Sequence, residues 1–286
     1  ADRRSRRVMK KPNSRRNLDV AIERAFGRGR SFTRVRATIA NVIVGQMLPD
    51  GAVKGGSSIK LRLGEGATRY TTDLDVARAS DLEDWIARLR SSLAEGWEGF
   101  TGVVAPREPA HPRGVPAEYV MQPFDVKLSY RGRPWCTVRL EVGYDEIGDA
   151  EQADVELAPG IADAFARIGL PAPGPVPLMV GPYQIAQKLH GVSAPGSDRA
   201  RDLVDLQLTV RAAGVDYDAT RRVCERLFAY RRLQGWPPTV VKGEGWDSIY
   251  AAESEDLDVL PTADGAVSWV NALIARIAGA GGASGA

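Results

Sequence analysis

Histidine and cysteine are scarce in this chain, with two of each among 286 residues. His111 and His190 stand far apart and cannot supply the clustered ligands of a zinc centre. Cys136 and Cys224 lie in separate apolar segments and read as reduced core thiols, not as a disulfide framework. No stretch of about 18 consecutive apolar residues occurs, so the sequence contains no transmembrane helix. The charged N-terminus has no apolar run behind it and does not read as a secretory signal. A cytoplasmic protein without membrane contact is the expectation. What is present fits a globular fold: 44% hydrophobic and 26% charged residues, in a chain long enough for one large or two modest cores.

The stretch from Val53 to Val76 carries the strongest signal. It opens as a short strand through Lys54, then reads Gly55, Gly56, Ser57 and Ser58, and closes on Asp73-Leu74-Asp75-Val76. Residues two apart on a strand share a face, so Asp73 and Asp75 stand together while Leu74 and Val76 turn to the core. Two adjacent carboxylates repel unless a cation sits between them. Mg²⁺ suits such oxygen ligands and brings substrate phosphates with it. A Gly-Gly-Ser turn lets backbone amides approach those phosphates. The stretch therefore reads as half of a nucleoside-triphosphate site.

Around it the sequence alternates helices and strands. Helical spacing covers Asn17–Phe26, Ser31–Leu48 and the segment after Ser80-Asp81-Leu82-Glu83. Strands are expected at Ala52–Lys54, Phe100–Val104, Glu118–Tyr130 and Pro134–Tyr144, the last two joined by a turn at Arg131-Gly132-Arg133. In the last strand Trp135, Thr137, Arg139 and Glu141 are expected on one face. Beyond about Pro159 the pattern turns helical, at Pro159–Ile168, Pro182–Val192, Asp198–Ala213, Asp218–Arg232 and Asp264–Ala278. Pro171–Pro177 reads as a stiff connector, and Pro106–Pro116 as a loop. This predicts an α/β or α+β layer over residues 1–158, and a mostly helical domain over 159–286. Residues 1–30 hold eleven Lys/Arg and three acids, a net +8 on an otherwise acidic chain, which suggests contact with a polyanion.

Further candidates follow the Asp-x-Asp pair. Glu141 is flanked by Leu140 and Val142 and fits a third carboxylate, able to ligate metal or accept a proton. On the helix Tyr183–Gly191, Gln184 and Lys188 are one turn apart, and Lys188 can neutralise a triphosphate. His190 reads as a helix-end histidine favoured by the dipole. Asp202 and Asp205 are neighbours on the next helix, with Arg199 or Arg201 in reach.

The ordered motifs KGGSS, RYTTDLDV, RLEV, QIAQKLHG and RDLVDL resemble those of the AbiEii/AbiGii-type nucleotidyltransferase toxins, which include the MenT toxins, from about Asn17 to Leu208. The resemblance implies a polymerase-β-like nucleotidyltransferase core with a helical C-terminal part. It implies Mg²⁺, an NTP substrate, a cognate antitoxin protein, and transfer of a nucleotide, typically a pyrimidine, to the 3′ end of tRNA, blocking aminoacylation. Carried over by residue, Asp73 and Asp75 match the metal carboxylates. Gly56 and Ser57 match the phosphate loop, in which Lys54, Gly55 and Ser58 are grouped. Lys188 matches the helix lysine and Asp202 the late aspartate, a role open also to Asp205. Arg69, which opens RYTTDLDV, and Gln184 join the NTP-binding set. Thr71 and Thr72, beside Asp73, are expected targets for silencing by covalent modification. Two rivals remain: nucleotidyl transfer to a small molecule or a protein hydroxyl, and a non-catalytic interaction module on the same fold.

Overall fold

The computed structural model describes residues 10–109 and 120–280. His111, the part of the expected loop at 110–116, the arginines before residue 10 and the last six residues lie outside the described residues.

Helix α1 (Arg15–Phe26) starts at Ser14, whose hydroxyl accepts from the Asn17 amide, and buries Leu18 and Ile22. Several charges of the basic N-terminal segment are held internally, as Lys11 pairs with Glu98 and Arg15 with Asp19. Helix α2 (Arg30–Gly45) is buried from Thr38 onward. The chain then forms β1 (Ala52–Lys54), α3 (Gly55–Leu63), a 3-10 turn (Glu65–Ala67), β2 (Leu74–Arg78) and α4 (Leu82–Glu95). Asp81 caps α4 by accepting from the amides of Glu83 and Asp84. Strands β3 (Phe100–Pro106), β4 (Gln122–Tyr130) and β5 (Arg133–Tyr144) follow as an antiparallel meander. Arg131 and Gly132 make the β4–β5 turn, both at positive φ (47° and 72°), as a tight two-residue hairpin requires. Then come β6 (Ala153–Glu156), α5 (Pro159–Arg167), β7 (Val176–Met179), α6 (Gly181–Val192), α7 (Arg201–Ala213), α8 (Tyr217–Arg231), α9 (Trp246–Glu253) and α10 (Ala263–Gly279).

Among the described residues the strands make one seven-stranded sheet in the order β3-β4-β5-β2-β1-β7-β6. It is mixed: β2 runs parallel to β5 and β1 parallel to β7, while the other neighbours are antiparallel. The two faces feed two cores. Val53, Val76 and Leu178 bury toward α1, α2, α4 and α5. Their neighbours Ala52, Ala77 and Met179 bury on the other side, against α6–α10.

Several expected elements differ. Gly55–Leu63 is a helix, not a turn followed by a spacer, because Gly55 at φ 65° redirects the chain directly off β1. The stretch expected to be a stiff connector ends in β7, whose Val176 and Leu178 are fully buried. The expected division near residue 158 falls between β6 and α5, and β7 beyond it returns to the sheet between β1 and β6. Trp135 does not follow the alternation expected for β5. The register shifts between Leu128 and Ser129, Trp135 has no residue opposite it, and its ring buries beside Phe100. Helix α9 was not expected; it is anchored by buried Trp246 and Tyr250.

Candidate active site

The sheet register assembles the carboxylates. Lys54 lies opposite Asp75 across β1–β2, and Glu141 lies opposite Asp75 across β2–β5. By strand alternation Asp73, Asp75, Lys54 and Glu141 share the face that carries Ala52 and Ala77, the face turned to the C-terminal helices. Gly55 sits directly on this group: a Cβ there would meet the Asp75 carboxylate oxygen at 2.1 Å. At Gly56 a Cβ would press on an Arg69 guanidinium nitrogen at 2.8 Å. Gly55 is therefore required both by close approach and by the turn off β1, while a side chain at Gly56 would have to displace the Arg69 guanidinium.

The segment from Glu65 to Asp73, which delivers Asp73 to the sheet, is clamped along its length. Arg34 donates to the Thr68 carbonyl at 2.9 Å and Asn41 to that of Thr72 at 3.3 Å. Lys60, fully buried, donates to the Thr71 carbonyl, and the Ser57 hydroxyl to that of Asp73. Ser58 donates to Gln184 Oε1 at 3.3 Å, and Gln184 Nε2 donates to the Gly55 carbonyl at 3.1 Å. Ser57, Ser58 and Gln184 thus fix the α3 N-terminus against β2 and α6.

A second cluster lies on α6 and α7. Lys188 donates to Asp202 at 3.0 Å and to Asp205 at 2.6 Å. Arg69 grips Asp205 with two bonds of 2.8 and 2.9 Å, and Arg199 holds the other oxygen of Asp202 at 2.7 Å. Burial would push the Asp205 carboxyl up, but Lys188 and Arg69 hold it down at about 2. Lys188 is expected to neutralise the triphosphate; here its ammonium sits between two carboxylates. Both late aspartates hold it, and Asp205 also ties in Arg69.

The Asp-x-Asp group behaves differently. Burial first, then the nearby charges of Glu141 and Asp73, raise Asp75 to about 6, with Lys54 and Lys188 opposing. Excess negative charge in a partly enclosed site is what a bound cation relieves. Among the described residues no three His, Cys, Asp or Glu side chains enclose a metal position. The donor set therefore fits an open site, with carboxylates on one side and substrate phosphates completing the shell, as Mg²⁺ prefers.

Asp149 was not anticipated. It is fully buried, accepts from Gln187 Nε2 at 2.5 Å, and lies near enough to Lys54 to feel its charge. Burial raises it to about 6. Its signal was local, since Asp145 caps the amides of Gly148 and Asp149 in a tight Asp-x-x-Gly-Asp turn. His190 is not a dipole-stabilised cation. Burial, with Arg231 and Arg199 nearby, lowers it to about 3 and keeps it neutral. Of the two threonines beside Asp73, Thr72 is exposed and its hydroxyl lies 3.2 Å from Asp73 Oδ1, while Thr71 is half-buried.

A mixed sheet that presents adjacent carboxylates beside a glycine-led helix, backed by a helical layer, defines a nucleotidyltransferase. Residues 45–272 match the family model described as nucleotidyl transferase AbiEii toxin of type IV toxin–antitoxin systems, and the chain belongs to that family. No curated protein matches it in sequence. Its fold is similar to that of MenT4, a nucleotidyltransferase toxin from Mycobacterium tuberculosis, with a TM-score of 0.55 at 19% identity, covering 91% of this chain and 89% of that one. JHP933 from Helicobacter pylori matches at a TM-score of 0.43 and 13% identity, over 85% of this chain and 90% of its own. No helix among the described residues is long and apolar enough to cross a membrane.

Proposed function

We propose that this nucleotidyltransferase transfers a nucleotide, preferably a pyrimidine, from an NTP to the 3′ end of an RNA, most simply tRNA, and is restrained by a cognate antitoxin protein. The observation that carries the reading is the Asp73–Asp75–Glu141 group, left with excess negative charge directly beneath the α3 N-terminus. Asp73 and Asp75 are the residues that would hold Mg²⁺. That ion would neutralise the triphosphate and the charge that develops on the leaving pyrophosphate. The amides at the start of α3 face the phosphates, favoured by the helix dipole. Lys54 offsets charge at the same face. Glu141 accepts the proton of the acceptor 3′-hydroxyl as its oxygen bonds to the α-phosphorus and the bond from that phosphorus to the pyrophosphate oxygen breaks. Lys188, Arg69, Asp202 and Asp205 position α6 and α7 over the site, and Gln184 fixes the glycine turn. Blocking the tRNA 3′ end would stop aminoacylation and with it translation.

Incubating the protein with each labelled NTP, total RNA and Mg²⁺ tests this. Label appearing on the 3′ end of tRNA, strongest with CTP or UTP and absent with EDTA, is the expected result. Label appearing only on protein or on a small molecule would overturn the choice of acceptor.

A further inference from the structure

A cavity of about 410 Å³, inside the usual range for ligand pockets, lies against the Asp73 end of β2. Phe32, Arg36, Asn41, Tyr70, Thr72 and Arg139 are on its wall. Resting on the reading above, we infer that it seats the last base of the RNA acceptor, and that this base presents an N–H donor to Asn41.

Four observations converge. Asn41 is only 1% exposed; its Nδ2 is committed to the Thr72 carbonyl, while its Oδ1 finds no donor. Such an oxygen is costly until a ligand supplies a hydrogen bond. Tyr70 is 41% exposed on the same cavity, an aromatic face on which a base can stack. The edge of β5 is open here, because β2 pairs with it only from Leu140 onward. Strand residues before that point offer backbone donors and acceptors to a base edge, and Arg36 already uses one, the Trp135 carbonyl. Arg139 has no hydrogen-bond or ion-pair partner among the described residues and projects from this edge, where a backbone phosphate would pass.

Position selects the acceptor over the NTP. The triphosphate side of the site is Gly55, Gly56 and Lys54 on β1 and α3. The cavity lies on the opposite side of Asp73, between α2 and the open edge of β5. In phosphoryl transfer the nucleophile enters roughly in line with the departing group, from the far side.

The test is equilibrium binding of a short fluorescent RNA ending in adenosine, against the same RNA ending in purine riboside, which lacks the amino group. Wild-type full chain and Asn41→Leu are compared, with NTP affinity measured in parallel and folding checked by thermal unfolding. Wild type should favour the adenosine end by about tenfold, the worth of one well-placed hydrogen bond. Asn41→Leu should bind both RNAs equally; it also releases the Thr72 carbonyl beside Asp73, so NTP affinity is compared in Tyr70→Ala. Tyr70→Ala, at an exposed ring, should weaken RNA binding by about tenfold through lost stacking while sparing NTP binding, and it stands in should Asn41→Leu not fold. Wild-type RNA binding without discrimination, or discrimination that survives Asn41→Leu, overturns the pocket and leaves the RNA reading standing. A loss in Tyr70→Ala confined to NTP affinity assigns the cavity to the incoming nucleotide and overturns the acceptor assignment. Absence of any RNA binding by wild type sinks the proposed function, and the acceptor pocket with it.

Discussion

Asp205 and Asp75 both belong to the acidic motifs of this chain, and the fold treats them in opposite ways. Asp205 receives two guanidinium bonds and an ammonium before any ligand arrives, and is ionised down to about 2. Asp75 has the Glu141 and Asp73 carboxylates nearby, is raised to about 6, and has Lys54 and Lys188 as its opposing charges. The first cluster is complete within the protein and joins the sheet to the helical layer. The second is incomplete, and on the proposed reading its incompleteness is the provision for metal and triphosphate. On that reading, motif residues of the same chemical type divide into those that hold the site and those that do the work in it.

The largest effect should come from breaking the incomplete cluster. Asp73→Ala or Asp75→Asn should lower transfer by about 10³-fold or more, since the charge that positions the phosphates is gone. Asp75→Asn should at the same time stabilise the metal-free protein by about 1–2 kcal/mol, because a repelled, desolvated carboxylate has been removed. Urea unfolding in EDTA reads this directly. The pH dependence has the matching sign. A carboxyl raised from 3.8 to about 6 gives stability that is full below 3.8 and is lost as pH rises through about 6. Asp75→Asn should flatten that fall.

The complete cluster should break in the other direction. Asp205→Asn removes the bidentate partner of Arg69 and one of the two carboxylates on Lys188, and should destabilise by about 3–5 kcal/mol. Transfer at temperatures well below the melt should then fall less than in Asp75→Asn. Lys188→Met should cost about 2 kcal/mol or more, because Asp202 and Asp205 lose their common partner. If Lys188→Met instead kept full stability and raised only KM for NTP, the lysine would belong with the ligand. The smallest effect is expected at Thr72. Thr72→Asp adds charge beside Asp73 at an exposed position and should slow transfer by about tenfold, while Thr72→Val changes it little.

The division between these clusters was only half legible in the sequence. Gly55, Gly56, Asp73 and Asp75 announced themselves because their types and order are dictated by close approach and by charge. Glu141 was singled out as a strand carboxylate flanked by apolar residues, and the register places it opposite Asp75. The partners of Asp205 were not readable, since Arg69 lies 136 residues away and only the packing of α7 against the β2 approach brings them together. Helix α3 was hidden because Ile59, Leu61 and Leu63 alternate with Lys60 and Arg62, the period of a strand; Lys60 and Leu61 both bury because a helix is surrounded on several sides. Strand β7 was hidden by Pro175 directly before it and Pro177 within its four-residue run. The nucleotidyltransferase fold was nonetheless readable from five ordered motifs, and the family match spans all five.

The most direct test of the account is the melting temperature of wild type and Asp75→Asn, each in EDTA, in Mg²⁺ alone, and in Mg²⁺ with CTP. Wild type should start lower and rise on adding Mg²⁺ and CTP, by linkage of binding to folding. Asp75→Asn should start higher and stay where it is. A variant that melts below wild type in EDTA, or that gains as much from Mg²⁺ and CTP as wild type does, would contradict the claim that Asp75 is held in reserve for the metal and its nucleotide.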